Sequence, residues 1–246
     1  FINFSVTRQS WEQQLSVVAA DEYLGVEQAV DPKTIVVDFS APNVAKPMHV
    51  GHIRSTIIGE SLSRIASYLG HNVIKDNHIG DWGTQFGMIL YAWKLELNES
   101  ALEQDPIKEL LRLYQKYSLL CKEDEVVLAA CKEELVKLQQ GDTDNLAIWK
   151  RCLELSKQGL NQIYDRLDVS FDYWLGESFY NDELPATVEL LVDKGLARQS
   201  EGAMAVFSSG EKKDEQDCFR INKDGVWQDN PMLIQKSDGA YNYATT

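Results

Sequence analysis

The chain has 246 residues, 44% hydrophobic, 10% aromatic and 25% charged, with a net charge of −14. This is an ordinary globular composition; no apolar run approaches the ~20 residues of a membrane helix, and the charge argues against broad basic binding of nucleic acid. The four cysteines, Cys121, Cys131, Cys152 and Cys218, form no C-x-x-C pair, which argues against a zinc site; Cys121, Cys131 and Cys152 lie in helical patterns and read as small buried hydrophobes in a reducing cytoplasm.

In chain order, residues 1–9 read as a strand. Residues 10–24 read as a helix with Ser10 as N-cap and Glu12 in its first turn. Neither chain end carries an initiator or terminator signal, so the sequence reads as a segment of a longer protein. Asp31-Pro32-Lys33 is a turn, and the β-branched run in 34–39 is a buried strand. Next comes a loop crowded with polar and catalytic residue types, Ser40 to His52. Ile53, Ile57, Ile58, Leu62, Ile65, Ala66 and Leu69 then keep helical spacing, and Gly70 sits where a helix C′ residue belongs. Residues 72–77 read as a second strand. Strand, helix and strand over this span predict a right-handed parallel βαβ unit. The loop after its first strand is where open α/β sheets take ligands.

A second polar, Gly-rich loop spans His78 to Gly87, followed by a helix over about 85–97. From Pro106 to Leu167 the pattern is helical, broken near Gly141-Asp142. One face carries Leu110, Leu111, Leu113, Tyr114 and Tyr117, and another Val126, Val127, Ala130, Leu135 and Leu138; this predicts a helical insertion with a packed inner face. Residues 169–175 read as a strand and Leu184 to Lys194 as a helix ending at Gly195. Residues 196–236 alternate β-like runs with turns such as Asp224-Gly225; Asp238-Gly239 is another such turn.

The chemistry gathers at His49-Val50-Gly51-His52 with Lys46 just ahead. A helix N-terminus presents unpaired N–H groups and the positive end of the dipole to an anion. Two imidazoles and an ammonium there suit a phosphate chain, and Gly51 lets a flat ligand lie on the backbone. The reaction that fits is nucleotidyl transfer, in which donors stabilise charge growing on the leaving pyrophosphate.

Segment 34–90 closely resembles the arginyl-tRNA synthetase family, class I, of the bacterial type. His49-Val50-Gly51-His52 is similar to that class's HIGH signature. Ala41 to Met48, Arg54-Ser55-Thr56-Ile57-Ile58-Gly59 and Asp76 to Gly87 resemble the arginine enzyme in particular. Gln235 to Thr246 resembles the family's segment before an Asp, and the likeness is weakest in 98–170. The resemblance implies an α/β fold: the first half of a Rossmann-like class I catalytic domain with a helical and β connective insertion. It also implies boundaries: 1–9 the end of an N-terminal tRNA-binding domain, 10–33 a linker helix, 34–97 the first half of the nucleotide-binding domain, 98–236 the extension and insertion, and 237–246 the start of the second half.

The implied reaction joins arginine and ATP into arginyl-adenylate and moves the arginyl group to the 3′ end of tRNA(Arg). The resemblance implies that His49 and His52 contact the ATP phosphates, that Gly51 accepts adenine, and that Lys46 adds positive charge. Asp38 corresponds to the acidic contact to arginine, Asn43 to the contact with its α-amino or carboxylate group, and Tyr243 to the tyrosine beside the guanidinium. Asp81 and Gln85 border the site or brace the first loop; His78 supports it, Trp82 belongs to the core, and His71 serves the helix end. The implied ligands are L-arginine, ATP with Mg²⁺ as substrate, and tRNA(Arg), with no protein-bound metal, no membrane, a monomeric state and a cytoplasmic location. The segment alone is expected to be inactive. Another nucleotidyltransferase with an H-x-G-H loop, or a non-catalytic synthetase-like binding module, are the readings that compete with it.

Overall fold

A computed structural model describes residues 2–237, 239, 241, 242 and 245. Tyr243 and Asp238, expected in the site and in a turn, lie outside the described residues, as does Phe1 of the first expected strand. Two compact units divide the chain, 1–175 and 176–246.

The first unit opens with residues 2–7, which form no regular element, and helix α1, Arg8–Ala20. The expected strand is absent: among the described residues no strand pairs with 2–7, so its alternating apolar residues have no sheet to join. The helix starts two residues earlier than expected. Thr7, not Ser10, is the N-cap, and its hydroxyl accepts the Ser10 N–H at 3.2 Å.

Strand β1, Thr34–Asp38, helix α2, Val50–Tyr68, and strand β2, Asn72–Asp76, form the expected unit. The strands pair in parallel from Thr34↔Asn72 to Asp38↔Asp76. β1 is not buried on both faces: Val36 is 65% exposed and only alternate residues are half-buried. In α2 the apolar spacing marks the helix but not its inner face. Thr56, Gly59, Glu60 and Ser63 are buried, whereas Ile57, Ile58, Leu62 and Ile65 are exposed. Two contacts account for this. Gly59 lies against Phe39, where a Cβ would fall 2.2 Å from the ring's Cγ. Glu60 is ion-paired with Lys75 at 3.2 Å and Arg64 at 2.7 Å, which offsets the cost of burying its carboxylate. Leu69 caps α2 and Gly70 follows at φ 88°, as expected.

Five helices follow: α3, Thr84–Glu96; α4, Glu99–Gln104; α5, Pro106–Glu123; α6, Glu125–Gln139; and α7, Thr143–Leu167. Besides the expected break near Gly141, a second falls at Asp124. Its carboxylate accepts the Val126 and Val127 N–H groups at 2.8 and 3.3 Å, starting α6 afresh. The packed inner face is present. Phe86, Ile89 and Leu90 of α3 meet Leu110 of α5 and Leu135 and Leu138 of α6 in one buried cluster. Val126, expected on that face, is exposed, because it sits in the first turn of α6, beside the Asp124 cap. Cys121, Cys131 and Cys152 are free and buried, as expected, and Cys218 is free and exposed.

Residues 169–175 form no strand. Asp172 and Tyr173 donate to the Lys75 carbonyl at 2.9 and 3.1 Å. The Asp172 carboxylate takes the Lys75 N–H at 2.7 Å, the donor that a neighbouring strand's carbonyl would use. Only an isolated parallel bridge, Asp76↔Tyr173, remains.

The second unit begins with a 3₁₀ segment, Glu177–Glu183, and helix α8, Leu184–Asp193, capped by Lys194 one residue before Gly195. Strands β3, Ala197–Ser200, and β4, Ala203–Val206, precede the hairpin of β5, Arg220–Lys223, and β6, Val226–Asp229, which turns at Asp224-Gly225 as expected. Strand β7, Met232–Gln235, completes an antiparallel sheet in the order β3-β4-β7. Val188, Ala197, Val206 and Ile234 form its core. No helix among the described residues is long and apolar enough to cross a membrane.

Candidate nucleotide and amino-acid site

The site is built on the C-terminal end of β1. Asp38 closes the strand with its side chain exposed, and Oδ1 accepts the His78 N–H at 3.3 Å. The chain then enters a loop that β1 cannot extend. Ser40, Ala41 and Ala45 adopt φ of 75°, 48° and 62°, a region that costs a residue with a Cβ of order 1 kcal/mol or more. Such backbone persists only where the surroundings over-determine it. Here the Ala41 N–H donates to Asn77 Oδ1 at 3.1 Å, and the Ala45 N–H to Ser156 Oγ at 3.0 Å.

The second Gly-rich loop is tied to the first. Gly80 N–H donates to the Pro42 carbonyl and Val44 N–H to the Gly80 carbonyl, both at 3.0 Å, forming a parallel bridge at Asn43. A Cβ on Gly80 would fall 2.4 Å from Asn43 Oδ1, so a larger residue there would push the Asn43 amide out of its present position. Asn43 is exposed beside it. Gln85 Nε2 also donates to the Gly80 carbonyl at 3.1 Å, so Gln85 braces the first loop through the second. Asp81 is buried, and its carbonyl accepts the Trp149 indole N–H at 2.8 Å. Trp82 packs edge-on against Trp149 and belongs to the helical core, as expected. His78 is buried with Nδ1 2.9 Å from the Leu175 carbonyl, a supporting position. His71 stands just past the end of α2, where its N–H bonds the Ala66 carbonyl and its Nδ1 accepts the Lys33 N–H at 3.2 Å.

His49 is the N-cap of α2. Its Nδ1 accepts the Gly51 N–H at 3.2 Å, and the His49 N–H donates to His52 Nδ1 at 3.3 Å, a reciprocal capping box built from two imidazoles. A nitrogen that accepts from the backbone carries no proton, so each neutral ring carries its proton on Nε2. The cap thus fixes both tautomers and leaves two Nε2–H donors at the positive end of α2. The rings stack at 3.8 Å between centroids. Burial, and then the neighbouring His49, lower the His52 pKa below its ordinary 6.5. His52 is therefore a neutral N–H donor at neutral pH, not an imidazolium.

Lys46 Nζ lies 4.4 Å from the centre of the Tyr114 ring on α5, a cation–π contact. Gly51 is exposed at the first turn of α2. Asp38, Asn43, His49 and His52 thus belong to one strand end and its loop, held from behind by the second loop and by α7. Among the described residues no group of three or more His, Cys, Asp or Glu could hold a metal ion.

The residues that hold the loop from α5 and α7, Tyr114, Ser156 and Tyr164, carry no local signal in the sequence. Ser156 and Tyr164 lie 111 and 124 residues beyond their partners.

The sequence profile of the family described as "tRNA synthetases class I (R), catalytic domain" matches residues 14–246. An arginine–tRNA ligase of Nostoc sp. is 43% identical over 249 residues, covering 100% of this chain and 40% of the relative. The arginine–tRNA ligase of Fusobacterium nucleatum is 44% identical over 212 residues, 86% of this chain and 35% of the relative. The chain therefore spans about 40% of the length of the curated relatives it matches. Among solved structures, arginyl-tRNA synthetase from Plasmodium falciparum aligns with a TM-score of 0.63 and 34% identity, over 87% of this chain and 33% of that one.

Proposed function

The chain belongs to the class I (R) tRNA synthetases, within their catalytic domain, and from that premise we propose that the protein carrying it is an arginine–tRNA ligase. The observation that supports the reading best is the imidazole pair whose cap leaves two Nε2–H donors at the N-terminus of α2.

In the first step the arginine carboxylate attacks the α-phosphorus of ATP. The bond to the bridging oxygen breaks and pyrophosphate leaves with the electron pair. The two Nε2–H groups and the α2 N-terminus meet the negative charge that grows there. Lys46 adds a positive charge once it exchanges the Tyr114 ring for a phosphate. The exposed backbone at Gly51 accepts the adenine face. Asp38 pairs with the guanidinium, Asn43 takes the α-amino or carboxylate group, and Tyr243 packs beside the guanidinium. Mg²⁺ arrives with ATP and supplies further charge neutralisation on the phosphates. A terminal ribose hydroxyl of tRNA(Arg) then attacks the arginyl carbonyl; the acyl–phosphate bond breaks, AMP leaves with the electron pair and the hydroxyl proton is released.

Residues 34–97 correspond in this reading to the first half of the nucleotide-binding domain, with 1–9, 10–33, 98–236 and 237–246 as the tRNA-binding end, linker, insertion and start of the second half. The protein acts as a monomer in the cytoplasm, and the segment alone does not charge tRNA. The test is arginine-dependent ATP–pyrophosphate exchange by the full protein, with and without tRNA. Exchange that needs arginine supports the reading; exchange driven by another acceptor, or none in any condition, sinks it. Asp38→Asn, which removes the charge facing the guanidinium, is expected to raise the KM for arginine about tenfold with the KM for ATP little changed. Equal effects on both constants would remove Asp38 from the arginine subsite.

A further inference from the structure

Two of the left-handed residues of the signature loop, Ser40 and Ala45, are held by α7, and the proton order of the contacts can be deduced. The Ala41 N–H donates to Asn77 Oδ1, which fixes the orientation of that amide. Asn77 Nδ2 therefore points at the Tyr164 phenol oxygen, 3.1 Å away, and donates to it. The phenol's own proton is then directed to Ser40 Oγ at 2.7 Å. Thr56 Oγ1 lies 2.8 Å from Ser40 Oγ and 2.7 Å from the His52 carbonyl oxygen, with one proton for the two. A buried chain of polar groups thus runs from Asn77 through Tyr164, Ser40 and Thr56 to the backbone of His52.

Tyr164 is 2% exposed, and its ring meets Phe171 at 5.1 Å and Trp174 at 5.8 Å. The hydroxyl is thereby delivered by a ring that has no room to swing. Burial raises the phenol's pKa, and the bonds to Ser40 and Asn77 only partly offset this, so it remains a donor across the working pH range. Two turns earlier on α7, Ser156 Oγ accepts the N–H of Ala45, the other left-handed end of the loop. Ser156, Leu160 and Tyr164 share one buried face at i, i+4 and i+8, about 12 Å from end to end.

We infer that Tyr164 and Ser156 are positioning residues for the nucleotide-binding loop: α7 clamps its two strained ends and, through Ser40, Thr56 and Ala45, sets where His52 and Lys46 stand. This rests on the proposed role of those two side chains in handling ATP. It gives the insertion a part in the chemistry: a shift of α7 would be felt at the histidine pair.

The test uses the full protein. Tyr164→Phe keeps the ring and deletes the donor; Ser156→Ala deletes the acceptor, and Ser156→Thr restores it. In arginine-dependent ATP–pyrophosphate exchange, kcat is expected to fall about tenfold in Tyr164→Phe and in Ser156→Ala, to recover in Ser156→Thr, and to leave the KM for arginine within about twofold. In a His52→Ala background the effect of Tyr164→Phe should vanish, because it acts through that residue. Backbone hydrogen exchange at Ala41 and Ala45 should quicken in the two variants while α7 itself keeps its protection. An undiminished kcat in both variants, or an equal fall without His52, overturns the inference and leaves the synthetase reading in place. If the parent shows no arginine-dependent exchange, the synthetase reading fails instead. The amides then decide the clamp: unchanged protection at Ala41 and Ala45 overturns it, and quickened exchange upholds it.

Discussion

His52→Ala in the full protein is expected to lower kcat for arginine-dependent ATP–pyrophosphate exchange about a hundredfold, the usual cost of losing one preorganised donor to a developing oxyanion. The substitution removes two things: the Nε2–H donor, and the Nδ1 acceptor that closes the cap on the His49 N–H. His52→Glu separates them. Glutamate at this third helical position restores the reciprocal cap but supplies no donor. It should hold the unfolding transition near the parent's and be no more active than alanine. Recovery of activity in the glutamate variant would show that the cap, not the donor, is what the reaction needs. The pH dependence follows from the tautomer. In the proposed role His52 is neutral, because protonation of Nδ1 would break the cap. Its pKa is lowered below 6.5 by burial and by His49. In the unfolded chain the ring takes up a proton near 6.5, which the folded state refuses, so the unfolded state binds more protons in that window. The contribution of His52 to stability is therefore present above 6.5 and lost as pH falls through its lower folded value. Activity should follow the folded-state ring, staying level from pH 8 down through 6.5 and falling only as the pH drops through the lowered value. A rate that rises on acidification would mean that the charged imidazole is the working form.

Gly59→Ala is expected to destabilise the first compact unit by about 3 kcal/mol, the upper end of ordinary overpacking. A Cβ there would sit 2.2 Å from Phe39 Cγ and 2.4 Å from Phe39 Cβ. A ring can turn about its own bonds, but Cβ is fixed to the backbone, so either α2 or the end of β1 must move. Phe39 is itself held among Leu160, Tyr164 and Val169 and lies 4.7 Å from the Phe171 ring. The loss corresponds to roughly 6–12 °C in the unfolding transition that contains α2. Since Phe39 precedes Ser40, the ATP-dependent activity should fall as well, even below that transition. The measurement is thermal unfolding of the parent and variant side by side; an unshifted transition would mean that the helix has slack against the strand.

The sequence disclosed this fold unevenly. The β1–α2–β2 unit was legible because its signals are local: a β-branched run, helical spacing, and a glycine in the C′ place. The orientation of α2 was not. Its inward row is Thr56, Gly59, Glu60 and Ser63, and periodicity alone assigns an apolar row to the core. Glu60 is buried only because Lys75 and Arg64 meet it, and those partners are visible only once β2 and α2 pack. The strand expected at 169–175 failed for a similar reason, since one carboxylate, Asp172, occupies the backbone donor on which a ladder would be built. At the candidate site, the histidines and their loop stand out by residue type and position. The tautomers, the Lys46 contact with Tyr114 and the α7 clamp do not, because each depends on a partner brought in by the tertiary fold or on the geometry of a cap.

The 124 residues between Ser40 and Tyr164 also set a schedule for the newborn chain. At roughly 5–20 residues per second, the ribosome releases Ser40 some 6–25 s before Tyr164 exists. During that interval β1 can wait and α2 can wind. Ser40 and Ala45 between them have nothing on α7 to hold them, so the loop ahead of the histidine pair takes its folded form only after α7 has been synthesised and has folded back.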